Sequence, residues 1–229
     1  MNDQLLSSTP RHVVVLCHPE QESFNASVAH AYSAEVRQHG HDVIIRDLYA
    51  MGFHPVLRSA ERPGPDFKQF RDVQDELDIL DASDVFVLVY PLWFGTPPAM
   101  MKGYIERVLG AGVLPRDVYD GAAKGVLAGK RLLSFTSSGL RDIWLDEQGQ
   151  LQALITCFDH YLQNAFAMGS SRHHHYGSIV AGMEPRWVAQ HLDDVRTQAR
   201  AMVHDLDADR AAGLRRCGTA AKDTQRLPG

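Results

Sequence analysis

Two stretches of consecutive aliphatic and β-branched residues, His12–Cys17 and Asp84–Tyr90, are apolar without alternation. A strand with one face in water alternates, so this pattern predicts strands buried on both faces of a parallel sheet. Shorter runs at Val43–Ile45 and Leu132–Phe135 read as two further strands. Between them the apolar spacing changes to the helical one. Residues 25–39 place Val28, Tyr32 and Val36 on one stripe, with Gly40 as the residue that ends the helix. Residues 66–80 open with Asp66 and Gln69 at capping-box spacing, followed by Phe70, Val73, Leu77 and Leu80. Pro98 begins a helix that stops before Gly110, and residues 151–166 and 187–206 supply two more.

Strands alternating with helices at this spacing predict an α/β fold: a doubly wound sheet of about five parallel strands with helices on both faces. The pattern divides the chain into one domain, residues 1–207, and a basic extension, 208–229. The extension carries Arg210, Arg215, Arg216, Lys222 and Arg226 without an apolar stripe, and reads as a mobile tail.

Composition narrows the function classes. A chain of 229 residues with 45% hydrophobic and 22% charged positions suits one soluble globular domain. Its formal charge of −5, with lysines and arginines scattered, gives a nucleic-acid role no electrostatic footprint. The longest apolar run, Val85–Leu92, is too short to span a bilayer, so no integral membrane protein is expected. The early run Val13–Cys17 is too short for a signal-peptide core. Cys17, Cys157 and Cys217 are far apart and form no paired motif, which suits a reducing compartment, the cytoplasm by default.

In open α/β sheets ligands sit at the carboxyl ends of strands, so the segments after the strands hold the candidate chemistry. After the first strand come His18, Ser23, Phe24 and Asn25, leading straight into a helix. Ser23 and Asn25 are helix-cap types, and a helix N-terminus with a nearby histidine suits an anion such as phosphate; the plainer reading is a cap alone. After the second apolar strand come Pro91, Leu92, Trp93, Phe94 and Gly95. Large aromatics there suit the wall of a flat conjugated ligand, or a contact with another subunit. Thr136, Ser137, Ser138 and Gly139 follow the next strand and would let the backbone approach a ligand edge.

Several tempting motifs fail. The stretch from Gly125 to Arg131 has three residues where a P-loop needs four, and Arg131 where Ser or Thr should bind magnesium. No metal site is expected. His173, His174 and His175 would point to alternate faces of a strand, which favours a sheet-end or interface role over metal binding. Cys17, ending a buried strand, reads as packed rather than nucleophilic.

Taken together, these segments resemble the NAD(P)H:quinone oxidoreductase family of flavodoxin-like flavoenzymes. The resemblance is carried by His18 with Ser23, Phe24 and Asn25; by Asp47–Met51 with Phe53 and Pro55; and by Ala82 and Asp84. It continues through Pro91–Gly95 and Pro97 to Lys102, Gly103, Glu106, Arg107 and Val108, within residues 12–139. It implies a noncovalently bound flavin, FAD or alternatively FMN, NAD(P)H as electron donor, a quinone-like acceptor and a homodimer. It also implies that His18, Ser23, Phe24 and Asn25 hold the phosphate or ribityl end. Pro91, Leu92, Trp93, Phe94 and Gly95 would line the ring, and Thr136, Ser137 and Gly139 its pyrimidine edge. No side chain is assigned as catalytic, because the flavin carries the chemistry. The chain departs from the family where a tyrosine and a histidine stabilise charge on the reduced cofactor: Trp144 and Gln150 stand there. The loop before Trp93 is one residue shorter than in the mammalian enzymes, and their paired gating tyrosines have no counterpart between Leu114 and Tyr119. Two other readings share the fold: an FMN-dependent azo or nitro reductase, and a flavin- or nucleotide-sensing regulatory subunit of a membrane transporter.

Overall fold

The computed structural model describes residues 9–120 and 125–223, with side chains described through residue 213. Five strands form one sheet: β1 (Arg11–Leu16), β2 (Asp42–Asp47), β3 (Val85–Pro91), β4 (Arg131–Ser137) and β5 (Ser170–Tyr176). All pairings are parallel, in the order β2-β1-β3-β4-β5. Every residue of β3 is buried, as its unbroken apolar run predicts for a central strand. The two edges are the polar ones.

Alternating side chains from the central strands feed two cores. Val13, Val15, Phe86, Leu88, Tyr90 and Leu132 face one layer. It contains α2 (Arg71–Asp81), α3 (Ala99–Tyr104), and the segment α6 (Gln150–Leu154) to α7 (Tyr161–Ala165). Val14, Leu16, Val85, Val87, Val89, Leu133 and Phe135 face the other layer, of α1 (Phe24–Gln38) and α8 (Pro185–Asp223). Each fully buried Val, Leu or Phe contributes about 1.5–3 kcal/mol, so these two faces dominate the folding energy.

The helix limits depart from the pattern in instructive places. The helix expected over 66–80 begins at Arg71, with Phe70 as its cap residue. Asp66 caps nothing: Phe67 N–H bonds Gly64 O and Lys68 N–H bonds Ala60 O, which hold the segment in a turn. Phe70 instead lies under the Arg58 guanidinium, 4.3 Å from its ring centroid. Two short helices, α4 (Pro115–Tyr119) and α5 (Asp142–Glu147), carry no periodic apolar signal and were not expected. The helix beginning near Pro98 widens into a π-helical turn at Ile105–Leu109, and a second π turn, Ile155–His160, joins α6 to α7. The fifth strand is the histidine run itself, on the open edge beside β4.

The expected end of the last helix near Leu206 is also corrected, since α8 runs helically through Asp223. Arg131 pairs with Asp209, and Arg210 with Asp84 at 3.5 Å, tying the helix to the sheet past the expected boundary. Arg215, Arg216 and Lys222 have no described side chains, and Arg226 lies outside the described residues.

A buried ion network fixes the connection from β2 to α2. The Arg107 side chain is fully buried; its Nε and Nη2 donate to Glu61 Oε1 at 2.9 and 2.6 Å. Its Nη1 donates to Asp72 Oδ2 at 2.8 Å and to the His54 carbonyl at 2.7 Å. Gly103, one turn earlier, allows the approach: a Cβ there would lie 2.2 Å from the Pro55 carbonyl oxygen. Burial pushes the Glu61 carboxyl up, but its bonds from Arg107 and the Arg58 N–H outweigh this and hold it below the usual range. The Arg107 hydrogen bond likewise holds Asp72 low. Depressed carboxylates contribute stability that is full above the ordinary carboxylate pKa and is lost as pH falls through the folded-state value. Arg107→Leu, which leaves Glu61 buried and unpaired, is expected to cost about 3–5 kcal/mol. Urea denaturation from pH 3 to pH 7 should show that loss shrinking toward acid pH; a loss independent of pH would contradict the assignment.

Candidate active site

The parallel register brings three loops to one edge of the sheet. Leu16 of β1 lies beside Val89 of β3, and Pro91 of β3 beside Ser137 of β4. The ladder continues one residue past each strand, with Cys17 N–H on Val89 O at 2.9 Å and Leu92 N–H on Ser137 O at 2.7 Å. The loops after β1, β3 and β4 therefore leave the sheet side by side.

A cavity of about 160 Å³ lies where they meet, lined by His18, Phe24, Asn25, Pro91, Leu92, Trp93, Ser137, Ser138, Gly139 and Ile179. The His18 and Trp93 rings stand 5.9 Å apart and form one wall. His18 Nδ1 lies 3.1 Å from the Glu20 N and 3.3 Å from the Glu20 carbonyl oxygen, so it is taken up within its own loop and Nε2 is the ring nitrogen left over. The α1 N-terminus reaches the cavity through Phe24 and Asn25. Ser23 caps it, its Oγ accepting the Ala26 N–H at 3.1 Å, and it does not line the cavity. Buried Asn25 accepts the Ser137 hydroxyl proton at 2.9 Å, locking the β4 loop to the helix.

The Thr136 side chain takes a direction that the sequence does not show. Its hydroxyl points under the loop, 2.8 Å from both His173 Nε2 and His175 Nδ1, and lines neither this cavity nor the next. The strand alternation that sends Ser137 toward α1 sends Thr136 the other way. His173 and His175 share that face, as alternation requires, while His174 lies against Phe135 on the other.

A larger apolar cavity of about 780 Å³ adjoins the first, beyond Phe94, Gly95 and Thr96. Leu140, Trp144, Gln150, Leu154, Cys157 and Phe158 complete most of its wall. Trp144 and Gln150 thus stand at the site, where they offer an indole N–H and a neutral amide rather than titratable groups. Phe94 and Gly95 form the two-residue turn between the cavities, closed by mutual backbone bonds of Trp93 and Thr96 at 3.1 and 3.2 Å. Both turn residues are left-handed, at φ 52° and 79°. Glycine adopts this freely; Phe94 does so under strain and with its ring fully exposed.

Other candidates have structural duties. Burial pushes the Cys17 thiol up to about 12, against a weaker lowering contact with Met101, so it is no nucleophile. Lys130, of the P-loop lookalike, donates to the carbonyls of Leu80, Asp81 and Ser83 at 2.6–2.7 Å and closes the α2 C-terminus. Among the described residues no cluster of three or more metal-ligating side chains occurs, and no helix is long and apolar enough to cross a membrane.

A sheet in the order 2-1-3-4-5 with its cavity at the carboxyl edge defines a flavodoxin-like protein. The family profile described as flavodoxin-like fold matches residues 10–210. An uncharacterized NAD(P)H oxidoreductase of Haemophilus influenzae is 30% identical over 170 residues, 73% of this chain and 84% of that protein. NAD(P)H dehydrogenase [quinone] 1 of Rattus norvegicus is 34% identical over 151 residues; the match covers 56% of this chain and about half, 54%, of the rat enzyme. Among solved structures, the NAD(P)H:quinone oxidoreductase of Methanothermobacter marburgensis superposes with a TM-score of 0.71 at 21% identity, covering 85% of this chain and 96% of that one. The FMN-dependent NADH-azoreductase of Bacillus anthracis, in complex with FMN, gives 0.63 at 16%, covering 84% and 99%. The chain belongs to the flavodoxin-like NAD(P)H:quinone oxidoreductase family.

The turn strain is directly testable. Phe94→Asn, which tolerates the left-handed region, should raise the unfolding free energy by about 1 kcal/mol in urea denaturation. A fall instead would show that the exposed ring makes contacts this chain alone does not supply.

Proposed function

We propose that the chain is a flavin-dependent oxidoreductase that takes a hydride from NAD(P)H and passes two electrons to a quinone-like acceptor. The observation that carries the reading is the convergence of the α1 N-terminus, the His18–Trp93 wall and the β4 loop on one cavity, beside a larger apolar one. The donor set fits the group. Helix N–H groups and His18 Nε2 suit a phosphate, and an aromatic wall with hydroxyl and amide edges suits a conjugated heterocycle.

When bound, the flavin supplies the hydride acceptance and two-electron return, which no side chain here provides. The chain's own residues bind, orient and exclude water. His18, Phe24, Asn25 and the helix end would hold the phosphate and ribityl part, with Ser23 fixing the helix end as its cap. Trp93, Leu92 and Pro91 would line the ring, and Ser137, Ser138 and Gly139 would edge it. The Phe94–Gly95 turn and Trp144 would frame the space where nicotinamide and acceptor take turns, held close to the reacting ring.

Relatives solved with FMN support the mononucleotide. A dinucleotide would need room for its adenylate half, for which the cavity of about 490 Å³ beside Asp142, Trp187 and His191 is a candidate. The exposed Phe94, Ile143 and Trp144 beside the large cavity support a homodimer that covers them. Free, exposed Cys157 suits work in a reducing compartment such as the cytoplasm. The azoreductase neighbours favour a second acceptor class, azo dyes, on the same site.

Protein purified without added cofactor should be yellow and release one flavin on denaturation, identified by mass. Anaerobic NADH or NADPH should bleach it, and a benzoquinone or naphthoquinone should restore the colour. Trp93→Ala should weaken flavin binding about tenfold, read by quenching of flavin fluorescence. A colourless protein that binds neither FAD nor FMN would end this reading.

A further inference from the structure

Five side chains beneath the β4 loop form one unbroken chain of hydrogen bonds. Buried Asp159, on the π turn before α7, places Oδ2 2.6 Å from His173 Nδ1. His173 Nε2 lies 2.8 Å from Thr136 Oγ1, which lies 2.8 Å from His175 Nδ1. His175 Nε2 lies 3.0 Å from Ser138 Oγ, which is also 3.0 Å from the Leu140 carbonyl oxygen. Ser134 bonds the other Asp159 oxygen.

The positions of the protons follow from the far end. A carbonyl only accepts, so with Ser138 donating to Leu140 its oxygen accepts from His175 Nε2–H. Neutral His175 then accepts at Nδ1 from the Thr136 hydroxyl, and Thr136 accepts from His173 Nε2–H. His173 Nδ1 faces a carboxylate oxygen at 2.6 Å, where a second proton has to lie. In this arrangement the Asp159–His173 pair holds two protons, one more than a carboxylate beside a neutral imidazole.

We propose that Asp159, His173, Thr136, His175 and Ser138 are a one-proton relay that stores a proton at the buried end and delivers it through Ser138 to the wall of the cofactor cavity. The delivery rests on the flavin reading of the site. Reducing a quinone to a quinol with NAD(P)H consumes one hydride and one proton, and the relay supplies the proton. Ser138 turns from Leu140 and gives its hydroxyl proton to the cavity. His175 Nε2–H passes to Ser138, Thr136 Oγ1–H to His175 Nδ1, and His173 Nε2–H to Thr136. The pair is left as Asp159 carboxylate and neutral His173 with Nδ1–H, one proton poorer, and solvent refills it by the reverse path. The chain thus places a proton store on the β5 side of the site, whereas Trp144 and Gln150 hold no titratable proton.

The surroundings suit this. Burial first, then the His173 charge, lowers His175 to about 4, so it stays neutral and conducts rather than stores. Asp142 of α5 faces His175 Nε2 at 3.7 Å, and from β3 Tyr90 faces Asp159 with a buried hydroxyl that has no partner among the described residues. Ser138 lines the smaller cavity and Leu140 the larger, so the delivery point sits at their seam.

The test is 15N NMR of the histidine side chains in the purified, flavin-loaded full chain, assigned with His173→Gln and His175→Gln. As pH rises, His173 Nε2 should lose its proton in one step, together with a switch of His175 from the Nε2–H to the Nδ1–H tautomer. Thr136→Val should uncouple the two, and Thr136→Ser should keep them coupled. Independent titrations, or His173 Nε2 unprotonated from pH 5 to pH 9, would overturn the relay even if Thr136→Val fails to fold. In the acceptor half-reaction Thr136→Val should slow the step about a hundredfold, at the low end for general acid–base catalysis, and abolish its solvent deuterium effect. Turnover unchanged in both respects overturns the relay but leaves the proposed function standing. A protein that oxidises no nicotinamide ends the proposed function, while the NMR result still decides the relay.

Discussion

The parallel ladder joining β1, β3 and β4 fixes where the functional groups stand. Each strand is held by bonds from its neighbours along its whole length, and the pairing continues through Cys17 and Leu92 at the exits. A slip of one residue would exchange the two faces of a strand. Thr136 would then face α1, and Ser137 the histidines. The unbroken apolar sequence of β3 makes this register tolerant on hydrophobic grounds alone. The polar residues at the carboxyl ends make it unique, because only this register satisfies Asn25, Ser137, Thr136 and the β5 histidines together.

Support for the site comes from groups that never touch it. Arg107, closed on Glu61, Asp72 and the His54 carbonyl, pins the long β2–α2 connection against the helix that follows the Phe94–Gly95 turn. Gly103 lets the Pro55 backbone lie directly on that helix. Buried charge of this kind is expensive unless every donor is used, and here Arg107 spends its donors on two carboxylates and a carbonyl. With that base rigid, the strained Phe94–Gly95 turn can hold an aromatic ring in solvent between two cavities.

Much of the architecture was legible along the chain. Continuous apolar strands, helical stripes and cap residues such as Ser23 point to a doubly wound sheet, because burial on two faces leaves no other economical pattern. The loops at His18, Trp93 and Ser137 were legible as a candidate site because ligands gather at carboxyl ends, and the structure brings them to one cavity. The fifth strand was less so, since an edge strand with one polar face lacks the apolar signature. The start of α2 was misread because Asp66 at capping-box spacing is drawn instead into a turn against Ala60. The destination of the Thr136 hydroxyl was illegible: its partners are 37 and 39 residues away and meet it only across the sheet.

The sequence by itself determined the fold class, the two-layer burial and the loops that could bear a ligand, since these rest on local periodicity and on the cost of exposing apolar surface. Only the tertiary structure decided which polar side chains meet. Hydrogen-bond partnership depends on distances of a few tenths of an ångström between residues far apart in sequence, and no spacing encodes it. The histidine run shows the division. Its alternation could be read from a single strand, but its joining to Asp159, Thr136 and Ser138 exists only once the β4–β5 register and the π turn before α7 have formed.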